Sequence, residues 1–425
     1  MSTAGVSLDL ARELRIICGE EYVVESSGSQ PSAAQLTVSP GSADEIAGMV
    51  RLANQRGFTI APAGGGAELA ASSEHADVVL QSGRLTEVEH YDPADLTVGI
   101  GAGMTMARLN AMVGEHRLML ASDPPFPERT TVGGLLAAAQ QGPLRHGYGA
   151  VRDYCIGIRF VTGDGRKAKG GGRVVKNVAG YDLMKLLIGS YGTLALITSA
   201  SFKLFPAPRQ TRTFLAEFSG WQEALKFRDL VMRSPLSPMC LEMISPAARK
   251  LMRPEMQDKA WVICVRGAGS DGVLARYRRE LGSAVTREVD GENEREVWRT
   301  IENFPWTGAN KEHGASWASV AIDVPIGEVA SVLRVLQDIG DGDGVNLIGR
   351  AGIGHLVLAL PNGPAASSNV DRMVDALAKA SVRDCSVSVH GPGKLCRMTP
   401  TDPAGRLAVK RALDPNNVLR GRELF

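Results

Sequence analysis

The sequence predicts an α+β protein, and three observations lead to that class. Residues 36–60 carry the pattern of a strand, a helix and a second strand. Residues 131–206 contain glycines that fall between short apolar runs, where the chain must change direction. From residue 211 onward, apolar runs alternate with helical patterns, and no glycine-rich phosphate loop follows them. The 425 residues are enough for two or three domains.

The strand–helix–strand unit is the most regular part of the first half. The run Ser42-Ala43-Asp44-Glu45 is a capping box, which predicts a helix that begins here and ends at Gly57. Apolar residues at i, i+3, i+4 and i+7 form one face of that helix: Ile46, Met49, Val50 and Ala53. The returning strand is predicted at 58–60. A separate helix is predicted over 8–18, within an otherwise weakly patterned N-terminal extension.

A glycine-rich loop follows the returning strand directly. It reads Pro62-Ala63-Gly64-Gly65-Gly66-Ala67-Glu68, and no lysine or arginine occurs between Arg56 and Arg84. Three successive glycines with positive φ, Gly65 among them, curl so that their N–H groups point into one concavity. Such a nest binds phosphate through main-chain dipoles; the alternative interpretation is a flexible hairpin.

Further strands are predicted on both sides of the glycine-rich stretch, at 77–80, 96–100, 156–161 and 194–204. Thr105 is predicted to cap a helix over 106–113. The 17 uncharged residues of 186–202 are too short and too polar for a membrane span. We therefore expect the end of a buried helix followed by a strand, and no transmembrane segment.

The sequence pattern of the second half predicts alternating strands and helices. The strands are 214–216, 260–265 and 318–322, and the helices are 225–232, 273–281 and 329–336. Three tryptophans in this half, Trp298, Trp306 and Trp317, are interpreted as core or interface residues rather than as a substrate pocket.

Composition excludes several classes of protein. The chain has 47 basic and 46 acidic residues, so it lacks the charge bias of a nucleic-acid-binding protein. Its six cysteines are widely spaced and no pair has C-x-x-C spacing, so neither a zinc ribbon nor an iron–sulfur cluster is predicted. The first 15 residues carry acids and lack an apolar h-region, so no signal peptide is predicted. Reduced thiols in the cytoplasm are the expectation.

Four motifs in the first half carry a family resemblance. They are Pro62-Ala63-Gly64-Gly65-Gly66, Thr131-Val132-Gly133-Gly134, Gly180-Tyr181-Asp182-Leu183 and Gly192-Thr193-Leu194-Ala195-Leu196-Ile197-Thr198-Ser199. In this order they resemble the FAD-binding domain of the vanillyl-alcohol oxidase class of FAD enzymes. The run Lys176-Asn177-Val178-Ala179-Gly180-Tyr181-Asp182, with the chain length, is similar to the smaller FAD-binding subunit of bacterial glycolate oxidase.

The resemblance implies a two-subdomain FAD-binding domain with an α+β cap domain. It divides the chain into an N-terminal extension (1–35), the FAD-binding domain (36–208), the cap or substrate-like domain (209–390) and a C-terminal segment (391–425). The C-terminal segment is expected to pack back on the FAD-binding domain.

The resemblance also assigns residues to the cofactor. Backbone N–H groups at the nest would hold the pyrophosphate: Ala63, Gly64, Gly65, Gly66 and Ala67. Thr131, Gly133 and Gly134 would lie beside the ribityl chain and phosphates. Asp153 and Gly157 would lie near the flavin edge, and Ile197 would offer backbone to the adenine. The family commonly has Thr or Ser after the glycines, and Ala67-Glu68 here removes that hydroxyl contact.

A metal site of the type found in larger hydroxy-acid dehydrogenases of this class is not predicted. Those enzymes carry an H-x-G-D-G-N-x-H-like run, and the matching run here begins at Arg350 and ends at Val357. Ile353 replaces the acid, and His355 is the single imidazole of the run. An arginine repels a metal ion, and isoleucine and valine cannot bind one.

His390 matches the imidazole of the family's later E-H-G-I-G run, but its acidic neighbour is Val389 here. Two interpretations stay open: a base near the flavin N5, or a hydrogen-bonded structural histidine. His390 and Arg350 are the candidate catalytic residues of the chain.

The resemblance implies an FAD subunit of a glycolate (2-hydroxy-acid) dehydrogenase complex, with a larger FAD subunit and an Fe–S subunit as partners. Such a subunit would support the reaction or relay electrons. It would be cytoplasmic, held at the inner face of the membrane through those partners. One alternative is a self-sufficient FAD dehydrogenase that uses His390 and Arg350 on a small 2-hydroxy acid. Another is a structural flavoprotein whose flavin is never reduced.

Overall fold

The computed structural model describes residues 3–25, 36–65, 76–172, 182–252, 260–304, 317–339, 345–361, 364–390 and 403–421. The chain forms two compact units. Unit 1 comprises Met1–Gln141, Ala150–Ala207 and Pro400–Phe425, and unit 2 comprises Gly142–Gly149 and Pro208–Thr399. The four-part domain division drawn from the sequence stays a prediction. None of the described helices is both long and apolar enough to cross a membrane.

The elements of the first half are as follows. The helices are Thr3–Cys18 (α1), Ala43–Arg56 (α2), Met106–Gly114 (α3), Val132–Ala137 (α4), Arg145–Tyr148 (α5), Val151–Tyr154 (α6) and Leu183–Leu187 (α7). The strands are Val23–Glu25 (β1), Leu36–Val38 (β2), Ile60–Ala63 (β3), Val78–Gln81 (β4), Val88–Asp92 (β5), Thr97–Gly101 (β6), Leu118–Met119 (β7), Cys155–Thr162 (β8), Lys167–Gly171 (β9), Ala195–Lys203 (β10) and Phe205–Pro206 (β11).

The elements of the second half are as follows. The helices are Trp221–Arg233 (α8), Pro246–Met252 (α9), Asp271–Leu281 (α10), Gly291–Glu302 (α11), Val329–Ile339 (α12), Pro364–Lys379 (α13) and Pro403–Leu413 (α14). The strands are Thr211–Phe218 (β12), Cys240–Ile244 (β13), Trp261–Ala268 (β14), Val285–Val289 (β15), Trp317–Asp323 (β16), Asn346–Arg350 (β17), His355–Pro361 (β18) and Ser386–His390 (β19).

Unit 1 contains two larger sheets and the two-stranded sheet β11-β7. The first has the order β1-β2-β4-β3, with β2, β4 and β3 parallel. The second is antiparallel, with the order β5-β6-β10-β8-β9. The apolar face of α2 packs against both sheets, because Ile46 and Met49 share one buried cluster with Val38, Val161 and Leu196. The helix predicted from its periodicity therefore sits in the core of the unit.

The ends of α2 follow the local chemistry of the sequence. The Ser42 side chain accepts a hydrogen bond from the Glu45 amide at 3.1 Å, and the Glu45 carboxylate accepts one from the Gly41 amide at 2.8 Å. The carboxylate thus reaches one residue further back than a standard capping box requires. Gly57 ends the helix in the left-handed conformation, with φ of 74°. A good N-cap of this kind contributes about 1 kcal/mol.

The C-terminal helix α14 is tied into unit 1 through a buried ion pair. The Lys410 ammonium donates to Asp414 at 2.5 Å, to the Thr193 carbonyl oxygen at 2.6 Å and to the Leu419 carbonyl oxygen at 3.0 Å. Leu419 also bridges Ile60 of β3 in parallel. This lock (Lys410, Asp414, Thr193 and Leu419) therefore joins the tail to the strand that leads into the glycine-rich loop.

Unit 2 is built on one antiparallel sheet with the order β15-β12-β14-β13-β17-β18-β16-β19. Helices α8, α10, α12 and α13 bury their apolar sides against one face, the helical face, where Leu241 and Met243 of β13 also point. The opposite face packs partly against α9 and α11, with Ile244 and Trp298 in its cluster. Because side chains alternate along a strand, Glu242 belongs to this second face.

The sequence predictions hold best for elements with an uninterrupted apolar pattern. The returning strand predicted at 58–60 begins only at Ile60, because the Asp77 carboxylate accepts hydrogen bonds from the Thr59 amide and hydroxyl. Strands β13, β17 and β18 have no counterpart among the predicted elements. Polar residues in their buried positions, such as Glu242 and Arg350, break the apolar pattern.

Candidate functional site

The glycine-rich loop of unit 1 packs tightly against the segment before α4. A Cβ atom at Gly64 would lie 2.4 Å from Thr131 Oγ1, and one at Gly65 would lie 1.6 Å from the Arg129 carbonyl oxygen. Neither glycine has positive φ, so the predicted left-handed geometry at Gly65 is wrong. Glycine is required here by close approach of backbone, and not by backbone conformation.

The Thr131-Val132-Gly133-Gly134 motif begins α4 and uses its amides internally. Thr131 caps the helix, and its Oγ1 accepts from the Gly134 amide at 3.1 Å. The Gly133 amide donates to the Ala102 carbonyl oxygen at 2.7 Å. A Cβ at Gly133 would lie 3.0 Å from Ala102. These two glycines therefore bring backbone segments together, while their N–H groups are already satisfied within the chain.

Three further residues assigned to the cofactor lie in the second sheet of unit 1 or beside it. Asp153 caps α6 by accepting from the Ala150 amide at 2.7 Å. Gly157 lies in β8, where a Cβ would approach the Gly172 carbonyl oxygen to 2.8 Å. Ile197 lies at an irregularity of the β8–β10 pairing. Their roles toward a flavin stay predictions.

A tight loop before β10 adds a polar group that the sequence did not single out. Gly189, Tyr191 and Gly192 all have positive φ, and a Cβ at Gly192 would lie 2.1 Å from Pro62 of β3. Between them, the Ser190 hydroxyl is buried and has no hydrogen-bond partner among the described residues. A buried unpartnered hydroxyl next to the strand that enters a glycine loop fits a polar ligand.

These features of unit 1 fit a dinucleotide cofactor. Gly64 lies against the Thr131 side chain and Gly65 against the Arg129 backbone, and the Ser190 hydroxyl is an additional polar group nearby in the unit. Gly66, Ala67 and the 176–181 part of the family motif lie outside the described residues. Ala63 is the last residue of β3 and is buried.

Unit 2 carries a row of ionisable side chains on the face opposite its helical face. The register of neighbouring strands aligns Glu242 on β13 with Arg350 on β17, Arg350 with His355 on β18, and His355 with Asp323 on β16. Side chains directly opposite each other have Cβ atoms about 4.5–5.5 Å apart. We call these four residues the charged row.

The exposed end of the charged row is a His–Asp pair. His355 Nδ1 lies 2.8 Å from Asp323 Oδ1, and Arg145 of α5 lies 3.6 Å from the same oxygen. Burial lowers the pKa of His355, and the Arg350 charge lowers it further, against the opposing effect of Asp323. The imidazole is therefore neutral at pH 7. Burial alone would raise the pKa of Asp323, but the His355 hydrogen bond and the charges of His355, Arg145 and Arg350 bring it below its usual value.

Arg350 occupies the centre of the charged row. Only 9% of the residue is exposed, and its Nε donates to the Gly142 carbonyl oxygen at 3.0 Å. Gly142 belongs to the short segment that carries α5 and Arg145 into unit 2. Two arginines and a neutral histidine thus lie around one stretch of the sheet, and this arrangement suits a small carboxylate ligand.

The backbone position of His390 lies far from Arg350 along the sheet. It pairs with Ser319, four residues from Asp323 on the same strand, and β19 is three strands away from β17. On a flat sheet this separates the two Cα atoms by about 19 Å. The predicted joint role of Arg350 and His390 is not tested by these positions, whereas His355 is the direct neighbour of Arg350.

The sequence interpretation missed Asp323, Glu242 and Arg145, and it gave His355 no role because one imidazole cannot form a metal site. An acidic or basic residue inside an apolar strand pattern is the signal that was available. Of the described residues, no three or more His, Cys, Asp and Glu side chains form a group suited to a metal ion.

Comparison with known proteins first identifies the class of this protein. Residues 34–169 match the family described as an FAD binding domain. The structure of p-cresol methylhydroxylase with substrate bound superposes with a TM-score of 0.73 at 17% identity, covering 98% of this chain and 96% of that one. The fold is therefore the two-subdomain FAD-binding fold with a cap domain, as the sequence predicted. The chain is an FAD-dependent oxidoreductase.

Two relatives identify the family within this class. The chain is 34% identical to the glycolate oxidase subunit GlcE of Escherichia coli over 281 residues, which is 63% of this chain and 73% of that protein. It is 29% identical to a D-lactate dehydrogenase of Archaeoglobus fulgidus over 346 residues, covering 77% and 75% of the two chains. This chain belongs to the family of the FAD-binding glycolate oxidase subunits.

Proposed function

We propose that this chain is the FAD-binding subunit of a heteromeric dehydrogenase that oxidises small 2-hydroxy acids. Glycolate and D-lactate are both 2-hydroxy acids, and the names of two relatives specify them. The name of one relative also describes a subunit. The partners are a larger FAD subunit and an Fe–S subunit, through which the complex lies at the inner face of the membrane. In this arrangement the chain relays electrons between its partners.

The flavin is held by unit 1. Gly64 and Gly65 allow the main chain to approach the pyrophosphate, together with Ala63, Gly66 and Ala67, and the Ser190 hydroxyl supplies a hydrogen bond. Thr131, Gly133, Gly134, Asp153, Gly157 and Ile197 surround the rest of the cofactor. FAD, when bound, supplies the capacity to accept a hydride from a substrate carbon.

The charged row supports a second candidate role, in which the chain binds and oxidises the acid itself. Arg350 binds the carboxylate of the substrate as a charged, geometrically fixed donor. Asp323 accepts from Nδ1–H of His355, which leaves Nε2 with a lone pair to take the proton of the substrate hydroxyl. Arg145 and Arg350 neutralise the carboxylates at the site. The observation that carries this role is the alignment of Arg350, His355 and Asp323 in one row.

His390 is the other candidate base for the same step. It lies on β19 of the same sheet, and its imidazole matches a family position. What favours His355 is the Asp323 carboxylate at its Nδ1, which fixes the tautomer of the imidazole. Replacement of His390 by alanine should then reduce turnover only mildly.

Flavin bleaching tests both roles directly. The chain is purified alone and in its native complex, mixed anaerobically with glycolate or D-lactate, and followed by stopped-flow absorbance. We expect the complex to bleach. If the chain has its own substrate site, Arg350→Met in this subunit lowers the bleaching rate of its flavin roughly hundredfold or more with FAD content unchanged, because a buried charged contact contributes about 2–5 kcal/mol.

The matched control is Arg383→Met, which removes an exposed arginine of unit 2. A complex that keeps full turnover with Arg350→Met supports the relay role alone. Absence of bleaching by both acids, in the chain and in the complex, would overturn the proposed function.

A further inference from the structure

Glu242 is a buried carboxyl group that the proposed chemistry does not use. It lies in the middle of β13 with no exposed surface, and neither of its carboxyl oxygens has a hydrogen-bond partner among the described residues. Buried polar groups in proteins are nearly always hydrogen-bonded, and an exception requires an explanation. An aliphatic side chain at this position would continue the apolar surface around Ile244 and Cys264 without this cost.

The neighbours of Glu242 leave Arg350 as its principal opposing charge. Arg350 is its cross-strand partner on β17, and Cys264 is its partner on β14. Burial raises the pKa of the Cys264 thiol to about 12, so the thiol is neutral. Arg249 of α9 is occupied by the Ala260 carbonyl oxygen and by Glu217.

Two further titratable groups lie on α5, which packs against β13. Burial lowers the pKa of His146 and raises that of Tyr148, so both side chains are neutral at pH 7. Beyond Arg350, the row continues with His355, which is also neutral, and with Asp323 and Arg145, which pair with each other. Of these groups, Glu242 is the carboxyl group that the strand register aligns with Arg350.

We propose that Glu242 is an internal competitor for Arg350, so that unit 2 binds a small carboxylate only when Glu242 carries a proton. In the protonated state Glu242 is neutral and does not compete with a carboxylate ligand for the positive charge of Arg350. In the ionised state the Glu242 carboxylate neutralises Arg350 and repels a second carboxylate. Glu242 is thus a positioning residue that acts through Arg350.

Glu242 gains and loses its proton in a pH range that suits such a switch. Burial raises its pKa from 4.5 to about 8, although the Arg350 charge pulls in the opposite direction. At pH 7 the proton is mostly present, and it is lost as pH rises through 8. By linkage, a ligand that binds only the protonated form raises the pKa of Glu242 further and takes up one proton per molecule above pH 8.

Titration with oxalate, a small carboxylate that the flavin cannot oxidise by loss of hydride from carbon, tests the proposal. The full chain with FAD bound is titrated calorimetrically between pH 6 and pH 9.5. We expect a dissociation constant that is constant below pH 7 and rises toward tenfold per pH unit above pH 8. Above pH 8 the heat should depend on the ionisation enthalpy of the buffer, with uptake of one proton per oxalate.

The isosteric variant Glu242→Gln should bind oxalate as tightly at pH 9.5 as at pH 6 and take up no proton. The exposed control Glu280→Gln should behave like the wild type. Alkaline weakening that persists in Glu242→Gln, or wild-type binding without proton uptake, would overturn the proposal, as would failure of the wild type to bind oxalate at pH 6. The wild-type measurements decide the matter even if the variant does not fold.

This inference rests on the proposed function only for the kind of ligand. If oxalate binds with the expected proton uptake but glycolate and D-lactate never bleach the flavin, the proposed function fails and the role of Glu242 stands. If the acids bleach the flavin but oxalate binding is independent of pH in wild type and variant alike, the role of Glu242 fails and the proposed function stands.

Discussion

The candidate sites of the two units consist of different kinds of chemical group. In unit 1 the site consists of main chain and small residues, because Gly64 and Gly65 lie so close to Thr131 and Arg129 that a Cβ atom would collide with them. In unit 2 the site is a row of ionisable side chains on a sheet face. A site of the first kind tolerates no added atom, whereas a site of the second kind is adjusted by single protons and charges.

The largest effect is expected at Gly65. Gly65→Ala places a methyl group 1.6 Å from the Arg129 carbonyl oxygen, so the loop must move away from the segment that precedes α4. We expect complete loss of FAD, measured as the ratio of flavin to protein absorbance after gel filtration. Gly83→Ala is the matched control, since a Cβ there meets nothing within 4 Å. Flavin retention by Gly65→Ala would break the contrast between the units.

Lys410 tests whether unit 1 also depends on a buried charge. Lys410→Met removes the ammonium that joins Asp414, Thr193 and Leu419, and it leaves the buried Asp414 carboxylate with backbone amide donors but without its positive partner. Breaking a buried pair in this way costs about 3–5 kcal/mol. We expect a lower Tm and weaker FAD retention, followed by differential scanning fluorimetry and flavin fluorescence. The double variant with Lys410→Met and Asp414→Asn should recover part of the lost stability. Equal stability of the single and the double variant would contradict a stabilising role of the Lys410–Asp414 pair.

Substitutions of His355 and Asp323 test the candidate site of unit 2. His355→Asn should lower the rate of flavin reduction by 2-hydroxy acids by about 10²–10⁴-fold, the usual contribution of a general base. FAD content should not change. Because the pKa of His355 is already below 6.5, activity should fall only as pH drops well below that value. Asp323→Asn removes a group that raises this pKa, so the acid limb of the profile of kcat/KM should move to still lower pH.

At Glu242 the expected effect is a dependence of stability on pH. A carboxyl group whose pKa is raised from 4.5 to about 8 in the folded state destabilises the fold progressively as pH rises through that window. The change is at most about 1.4 kcal/mol per pH unit. The difference in Tm between Glu242→Gln and the wild type should therefore widen from pH 5 to pH 8 and then level off. A constant difference across this range would show that Glu242 does not titrate there.

Local signals were predictable because they depend on neighbours in the chain. Ser42 and Thr105 cap helices as their positions indicate, and Gly57 adopts the left-handed conformation of a helix end. The glycine motifs identified the FAD-binding class before the fold was known. The geometry of Gly65 was predicted wrongly, because the sequence does not show that the Arg129 carbonyl oxygen occupies the space beside it.

The sequence by itself determined the α+β class and the helix ends, since these depend on short-range periodicity and capping. Its glycine motifs indicated a flavin-binding unit through their resemblance to a known family. Only the tertiary structure brings the four residues of the charged row together. Glu242 and Arg350 stand 108 positions apart in the chain, and only the register of β13 against β17 aligns them. The separate register of β18 against β16 makes His355 a partner of Asp323. Burial then sets their protonation, because the cost of a charge depends on what surrounds it in the folded chain.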